Sequence, residues 1–395
     1  MTLRLEDFAR FGIHLGLEQI KFLLARLGNP HQRVPIIHVA GTNGKGSVCA
    51  FLNAALRAAG YRTGCYTSPH LVSWRERITL NGEWISEADL ASGLAAVTAT
   101  INPQDPPTQF EVITAIAWWY FAQHHVDIAV IETGLGGRLD ATNVCDRPLV
   151  TAITSISRDH WQRLGDSLGA IAWEKAGIIK PGRPLVVGPL PPEADRVIQE
   201  RAAALGAPLV RAMPHPEPLT LGLQGQHQQV NGAIAYGVLE QLRSQGWSIS
   251  TEQIEAGLHQ AHWPGRLQRV VYQGRHLLLD GAHNVAAAMV LRDYVAAMPS
   301  PHHWIVGILS TKDAIGILQA LLQPGDCLYA VPIAEHAALA PEALVALAPP
   351  STHAKPYASL QSALADLPHT TPSPPIICGS LYLVGHALTV LALCP

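Results

Sequence analysis

Apolar runs of strand length alternate with helix-period patterns along nearly the whole chain. Val34-Pro35-Ile36-Ile37-His38-Val39 is a short apolar run and reads as a buried strand. After it, Val48, Phe51, Leu52, Ala55, Leu56 and Ala59 fall on one face of a helix that Gly60 ends. Further strands are predicted at 61–67, 129–131, 149–156 and 185–187, and helices at 47–59, 87–100, 111–124 and 167–176. This alternation predicts an α/β domain with a mostly parallel sheet and its sites at the carboxyl ends of the strands.

Thr220 to Leu223 is a short alternating piece, and 228–243 and 251–261 read as helices. The chain then turns at Trp263-Pro264-Gly265-Arg266. A second α/β series begins with His276-Leu277-Leu278-Leu279-Asp280, with strand-like runs at 303–308, 327–331 and 375–378. Helical patterns at 285–298, 313–322, 341–347 and 358–366 lie between them. The expected architecture is a larger N-terminal α/β domain over 1–263 and a smaller C-terminal α/β domain over 264–395, with the boundary near 263–268.

Composition narrows the class. In 395 residues, 48% are hydrophobic and 14% charged, which fits a globular enzyme with sizeable cores. The formal net charge of −3 leaves no footprint for nucleic acid or a membrane surface. No window approaches the ~18 consecutive apolar residues of a spanning helix. Met1 to Asp7 is too charged for a signal peptide. The six cysteines are scattered without a C-x-x-C pair, which argues for reduced thiols in a cytoplasmic protein rather than disulfides or zinc. No solenoid-period repeat or low-complexity tail is visible.

The candidate chemistry follows the predicted strands. Between the first strand and helix stands Val39-Ala40-Gly41-Thr42-Asn43-Gly44-Lys45-Gly46-Ser47. Glycines let backbone N–H groups converge on phosphate oxygens, the helix N-terminus adds partial positive charge, Lys45 adds a full one, and Ser47 can ligate Mg2+. The usual G-x-x-x-x-G-K-[ST] spacing is not met: Val39 stands where its first Gly belongs, and Gly46 separates Lys45 from Ser47. A plain strand-to-helix turn is the competing reading. Glu132 opens the glycine-rich run Glu132 to Asn143 after another strand, where a carboxylate suits Mg2+ near phosphates; a helix cap or solvated acid competes. Asp159-His160 and Ser68-Pro69-His70 also follow strands. From its neighbours alone, Lys175 reads as a surface lysine or a partner of Glu174. Asp280-Gly281-Ala282-His283-Asn284 suits a ribose contact or a plain turn.

Taken in order, these segments resemble the folylpolyglutamate synthase/dihydrofolate synthase family, a branch of the Mur ligase superfamily. The matching stretches are His38 to Ser47, Tyr66 to Leu71, Arg77-Ile78 with Asn81-Gly82, Phe110-Glu111, Glu132 to Asn143 and Asp159-His160 with Leu164-Gly165. They continue with Ile171 to Ile178, Gln228 to Ala233, Pro264-Gly265-Arg266, Asp280 to Asn284 and Gly379 to Tyr382. The family's G-T-N-G-K-G-[ST] loop accounts for the altered spacing, and the resemblance implies a P-loop ATPase-like α/β N-terminal domain with a mostly parallel sheet and a smaller Rossmann-like α/β C-terminal domain. The resemblance implies an ATP- and Mg2+-dependent ligase that joins L-glutamate to a pterin or folate carboxylate through an acyl phosphate. It implies catalytic roles for Lys45, Glu132, His160 and Lys175, the last carbamylated. Thr42, Asn43, Gly44, Lys45, Gly46, Ser47, Asn231, Arg266 and Asp280 would bind ATP. Ser47, Ser68, Glu132 and His160 would hold Mg2+. Leu15, Phe110 and Asp140 would lie by the pterin, and His283 and Ser380 by glutamate. Small-molecule substrates and a monomer are expected.

Two departures, at Gly12 to Gly16 and at Gln109 where an aromatic is frequent, bear on which pterin is accepted. A cell-wall Mur ligase would need an N-terminal UDP-binding domain, and about 35 residues before the loop are too few for one. A scaffold that has lost catalysis is disfavoured by the joint presence of Glu132, His160, Lys175, Arg266 and Asp280.

Overall fold

In the computed structural model, which describes residues 4–8, 16–213, 217–334 and 336–393, the chain forms two units. The first comprises 1–157, 161–222 and 228–262; the second comprises 158–160, 223–227 and 263–395. The chain therefore lends two short internal segments of its first two-thirds to the second unit.

The first unit is organised around β1 (Ile36–Ala40), all of whose residues are buried. The other strands in chain order are β2 (Thr63–Tyr66), β3 (Ile78–Leu80), β4 (Glu83–Trp84), β5 (Ile128–Glu132), β6 (Val150–Ile153), β7 (Leu185–Val187) and β8 (Leu209–Arg211). They form one sheet in the order β4-β3-β2-β5-β1-β6-β7-β8, parallel from β2 to β8. Burial on both faces explains the unbroken apolar runs of β1, β5 and β6. The chain leaves β1 for β2 on one side and comes back across β1 to reach β6, so strand order reverses beside β1. A crevice opens there at the strands' carboxyl ends. The β3–β4 hairpin turns at Asn81-Gly82 with φ of 52° and 84°, the positive-φ pair that a two-residue hairpin needs. One core packs Leu23, Leu24, Val112, Ile116, Phe121 and Ile131; another packs Ile153, Ile171, Ile178 and Val187.

The second unit carries β9 (Gln268–Tyr272), β10 (Arg275–Leu279), β11 (His303–Val306), β12 (Cys327–Ala330), β13 (His353–Pro356) and β14 (Ile376–Cys378). Their order is β13-β12-β11-β14-β10-β9, parallel except for the β9–β10 hairpin. Here β14 lies between β10 and β11, which puts a second crevice beyond the ends of β10, β14 and β11.

The α/β class read from the sequence is present in both units. The predicted strand 149–156 ends at Ile153, because Thr154 and Ser155 turn out of the ladder to bond the segment after β1. Thr220 to Leu223 is not a strand. Helices Glu18–Arg26, Pro192–Ala204 and Leu381–Val390, and the short strands β3, β4, β8, β9 and β13, escaped the pattern reading. Strands of two to five residues carry too few positions to show a period; four of the five lie at sheet edges, and β13 is largely exposed. Among the described residues no helix is long and apolar enough to cross a membrane, and all five cysteines are free thiols.

His38 is fully buried in β1. Its Nε2 lies 2.9 Å from the Thr142 hydroxyl, which donates to Asp140 at 2.5 Å. The hydroxyl's proton is thus committed, so Nε2–H must donate to it, while the buried Nδ1 has no hydrogen-bond partner, which suits a neutral ring. Burial, and secondarily the charge of Lys180, push the imidazole down from 6.5 to about 3. The unfolded chain therefore binds an extra proton between those values. The neutral ring's contribution is complete above about pH 6.5 and is lost as pH falls through that window. One such group removes about 2 kcal/mol between pH 7 and pH 5. His38→Gln keeps an N–H for Thr142 without a titrating ring. Urea unfolding at the two pH values is expected to show a loss smaller by about 2 kcal/mol in the variant. Equal losses would show that His38 is not held neutral.

Candidate active site

The phosphate-loop candidate leaves the carboxyl end of β1 and enters helix Lys45–Ala58 through Gly44, whose φ is 88°. A Cβ on Gly44 would stand 2.4 Å from the Asn231 side-chain oxygen, so both conformation and space demand glycine. Residues after β6 fix the loop's backbone. Thr42 N–H donates to the Ser155 carbonyl at 2.7 Å, and the Asn43 carbonyl accepts from the hydroxyls of Thr154 at 2.6 Å and Ser155 at 3.0 Å. Thr42 Oγ1 accepts from Ser157 N–H at 3.1 Å and lies 3.2 Å from its carbonyl. With the carbonyls turned into these bonds, the helix N-terminus is left to attract an anion.

The charged groups collect beside it. Lys45 Nζ lies 3.8 Å from Glu132 Oε1 at the end of β5 and donates to the Thr42 carbonyl at 3.2 Å. The other Glu132 oxygen accepts from Ser68 N–H at 3.3 Å, which brings the loop after β2 to the same place. Lys175, buried in helix Leu168–Ala176, donates from Nζ to the Gly41 carbonyl at 2.7 Å. It is thus not the surface lysine that its neighbours suggest; Glu174 pairs with Arg138 instead, at 2.8 Å. Ser47 is buried and accepts from Gln228 Nε2 at 3.2 Å, while Gln228 Oε1 accepts from Asn231 at 2.9 Å. Thr42 to Ser47, Ser68, Glu132, Lys175 and Asn231 therefore assemble in one place within the first unit.

Asp140 is buried and its carboxylate closes the glycine-rich turn: it accepts from Leu135 N–H at 2.7 Å and from Thr142 N–H at 3.0 Å. Burial raises its pKa, and these hydrogen bonds work against that shift. Phe110, in the first turn of helix Gln109–Gln123, packs against Gly134 and lies 6.1 Å from the Tyr66 ring. Glu111 caps that helix, bonding the Thr108 N–H and hydroxyl at 2.8 Å. Leu15 lies outside the described residues.

His160, Arg266, Asp280, His283 and Ser380 belong to the second unit. Asp280 accepts from Leu267 N–H at 2.9 Å and Ala282 N–H at 2.8 Å, shaping the turn after β10. Ser380 is the N-cap of helix Leu381–Val390, accepting from Tyr382 N–H at 3.1 Å. His283 Nδ1 donates to the Gly281 carbonyl at 2.8 Å, and its Nε2 lies 3.5 Å from Asp159. Asp159 is buried and also meets Lys312 Nζ at 2.5 Å and Asn284 Nδ2 at 3.1 Å. Its burial would raise its pKa, but His283, Lys312 and His160 outweigh that and hold it well below the usual carboxylate range. His160 is half exposed, 3.9 Å from Asp159 and 3.5 Å from Lys312 Nζ.

Sequence reasoning missed several participants. Thr154 and Ser155 were absorbed into a strand although the change from apolar to polar residues marked its end. Gln228 sits in a matching stretch but received no role. Lys312, in Ser310-Thr311-Lys312-Asp313, follows β11 as Lys45 follows β1, and its place past a strand end was the available signal.

Known proteins similar to this chain identify its family. The family model "Dihydrofolate synthetase, C-terminal domain" matches residues 266–390. A Bacillus subtilis dihydrofolate synthase/folylpolyglutamate synthase is 40% identical over a region covering 70% of each chain. The solved structure of Escherichia coli FolC in complex with DHPP and ADP is 33% identical, with a TM-score of 0.85 over 98% of this chain and 96% of that one. A Mycobacterium tuberculosis folylpolyglutamate synthase complexed with ADP and AMPPCP is 30% identical, with a TM-score of 0.86 over 96% of both. A strand-end phosphate loop with its altered spacing, the buried lysine beneath it and likeness along nearly the full length lead to one assignment: the chain belongs to the folylpolyglutamate synthase/dihydrofolate synthase family.

Proposed function

We propose that the protein is an ATP-dependent ligase that joins L-glutamate to the carboxylate of a reduced pterin or folate through an acyl phosphate. The observation that carries this reading is the convergence of the helix N-terminus, Lys45, Glu132 and Lys175 at the carboxyl ends of β1 and β5. A free carboxylate is a poor acylating agent, so one of its oxygens must first become a leaving group. Transfer of the γ-phosphoryl group supplies that, and the glutamate amine then displaces phosphate as the amide forms. Such transfer depends on in-line positioning and charge neutralisation. The loop's backbone would orient the phosphates, and Lys45 would balance charge on the β- and γ-oxygens.

The residues fit Mg2+. Ser47 and Ser68 offer hydroxyls and Glu132 a carboxylate. Among the described residues no three His, Cys, Asp or Glu side chains form a metal cluster. A sparse set of hard oxygens suits Mg2+, which keeps several waters and takes phosphate oxygens rather than a full protein cage. When bound, the ion would neutralise phosphate charge. Phe110, with Asp140 holding the turn opposite it, is assigned to the pterin; His283 and Ser380 are assigned to glutamate.

Lys175 is assigned as a carbamate. An ammonium close to divalent ions would repel them, whereas the carbamate formed from the neutral amine and CO2, with loss of a proton, is an anion. It retains one N–H, so the bond to the Gly41 carbonyl survives the modification. Lys175→Ala is expected to be nearly inactive, with partial recovery in acetate. A fully active Lys175→Ala without added carboxylate would remove this assignment.

The ligase reading is tested by phosphate release from ATP with dihydropteroate or a reduced folate monoglutamate, each with and without glutamate. Glutamate-dependent release with either acceptor is expected, and the pair of acceptors separates dihydrofolate synthesis from chain extension. Lys45→Ala is expected to lose about 3 kcal/mol of transition-state stabilisation, over a hundredfold in rate, with an unchanged melting curve without ATP. A variant rate within about threefold of the parent would count against the phosphate-loop role.

A further inference from the structure

The face of the first sheet opposite its phosphate loop holds a feature that the ligase chemistry does not use. Asp146-Arg147 precede β6 and Lys180-Pro181-Gly182-Arg183 precede β7, its parallel neighbour. Both segments therefore sit at the amino ends of the strands, roughly 15 Å of strand length away from the loop after β1. These six residues line a cavity of about 570 Å3 that opens to solvent. A tight turn shapes one wall: Arg183 N–H donates to the Lys180 carbonyl at 3.1 Å, with Gly182 at φ 66°.

The wall charges are unbalanced. Arg147, Lys180 and Arg183 face the cavity against one carboxylate, Asp146. Among the described residues none of the three cationic head groups makes a side-chain hydrogen bond or ion pair. Burial depresses the Lys180 pKa; Asp146 opposes this, and the nearby charges of Lys21 and Arg201 add to it. Three cations with one partial counter-ion, in a recess of a chain whose net charge is −3, form a local field that an anion would relieve.

We propose that this rim is a binding site for a small multivalent anion, with Arg147 and Arg183 supplying planar forks and Lys180 a point charge. Guanidinium groups meet phosphate or carboxylate oxygens in bidentate fashion, and the ammonium fills the remaining charge. The cavity exceeds the size of a single phosphate, which favours a diphosphate or a tricarboxylate. The two walls also continue the segments that carry the active-site turn and Lys175. Asn143 Nδ2, three residues before Asp146, bridges them by donating to the carbonyls of Arg138 at 3.1 Å and Gly177 at 3.0 Å.

Pyrophosphate and, separately, citrate are titrated calorimetrically into the full chain in EDTA at 150 mM NaCl. Four proteins are compared: the parent, Lys45→Ala, the double variant Arg147→Gln/Arg183→Gln, and Asp146→Asn. Lys45→Ala removes the phosphate loop's share of binding and should leave rim binding intact. The double variant should weaken pyrophosphate at least tenfold with a parental melting curve. Asp146→Asn, which deletes the competing carboxylate, should tighten it a few-fold. Citrate binding of similar strength extends the site to carboxylates; its absence restricts the site to phosphates. Loss of binding in Lys45→Ala alone, parental binding in the double variant, or weaker binding in Asp146→Asn would overturn the proposal. Should the double variant not fold, the Asp146→Asn arm still decides.

Discussion

The site rests on the hydrogen bonds between the loop after β1 and the polar residues that end β6. Thr42, through its N–H and hydroxyl, and Asn43, through its carbonyl, bond Thr154, Ser155 and Ser157, so the continuation of β6 holds the loop along one side. A backbone carbonyl left pointing outward would repel a phosphate; tied to β6, these oxygens are withdrawn. The arrangement requires β6 to be the immediate parallel neighbour of β1, and so depends on the strand order of the whole sheet. Gly44 completes it, because its positive φ and contact with Asn231 exclude any side chain.

Around that frame the charges arrange themselves by burial. Lys45 and Glu132 face each other at 3.8 Å, which is too long for a tight pair and leaves both groups able to turn to other partners. Lys175 is anchored from beneath through the Gly41 carbonyl, at the base of the same loop. The turn from Glu132 to Asn143 is built by Asp140, whose two oxygens take three donors from Leu135 and Thr142. His38 in β1 supports Thr142 in turn, so a histidine deep in the central strand positions the turn that follows Glu132.

Much of this was legible in the sequence where strands are long and fully buried. β1 and β5 are buried throughout, and the phosphate loop follows the first while Glu132 ends the second; Asp280 follows the buried half of β10. The phosphate loop was readable from Gly44, Lys45 and Ser47 despite its spacing, because strand, turn and helix surround it. What escaped was tertiary. Nothing local marks Gln228 as the partner of Ser47, 181 residues away, or Lys312 as the partner of Asp159, 153 residues away. Lys175 illustrates the limit most clearly: beside Glu174 it looks like half of an exposed pair, yet the helix turns Glu174 toward Arg138 and Lys175 into the core. Only family resemblance corrected that reading.

The path of the chain adds a consequence. Ser157, which bonds Thr42, is the last residue before the segment 158–160 that packs with the second unit. Gln228, which bonds Ser47, is the first residue after the segment 223–227, which does the same. Two of the loop's hydrogen-bond partners are therefore residues at which the chain changes units. Each of these two residues is joined covalently to a segment of the second unit. On one of those segments Asp159, two residues beyond Ser157, is bound by His283, Asn284 and Lys312, so the chain passes from a partner of the phosphate loop straight into a buried, charged anchor.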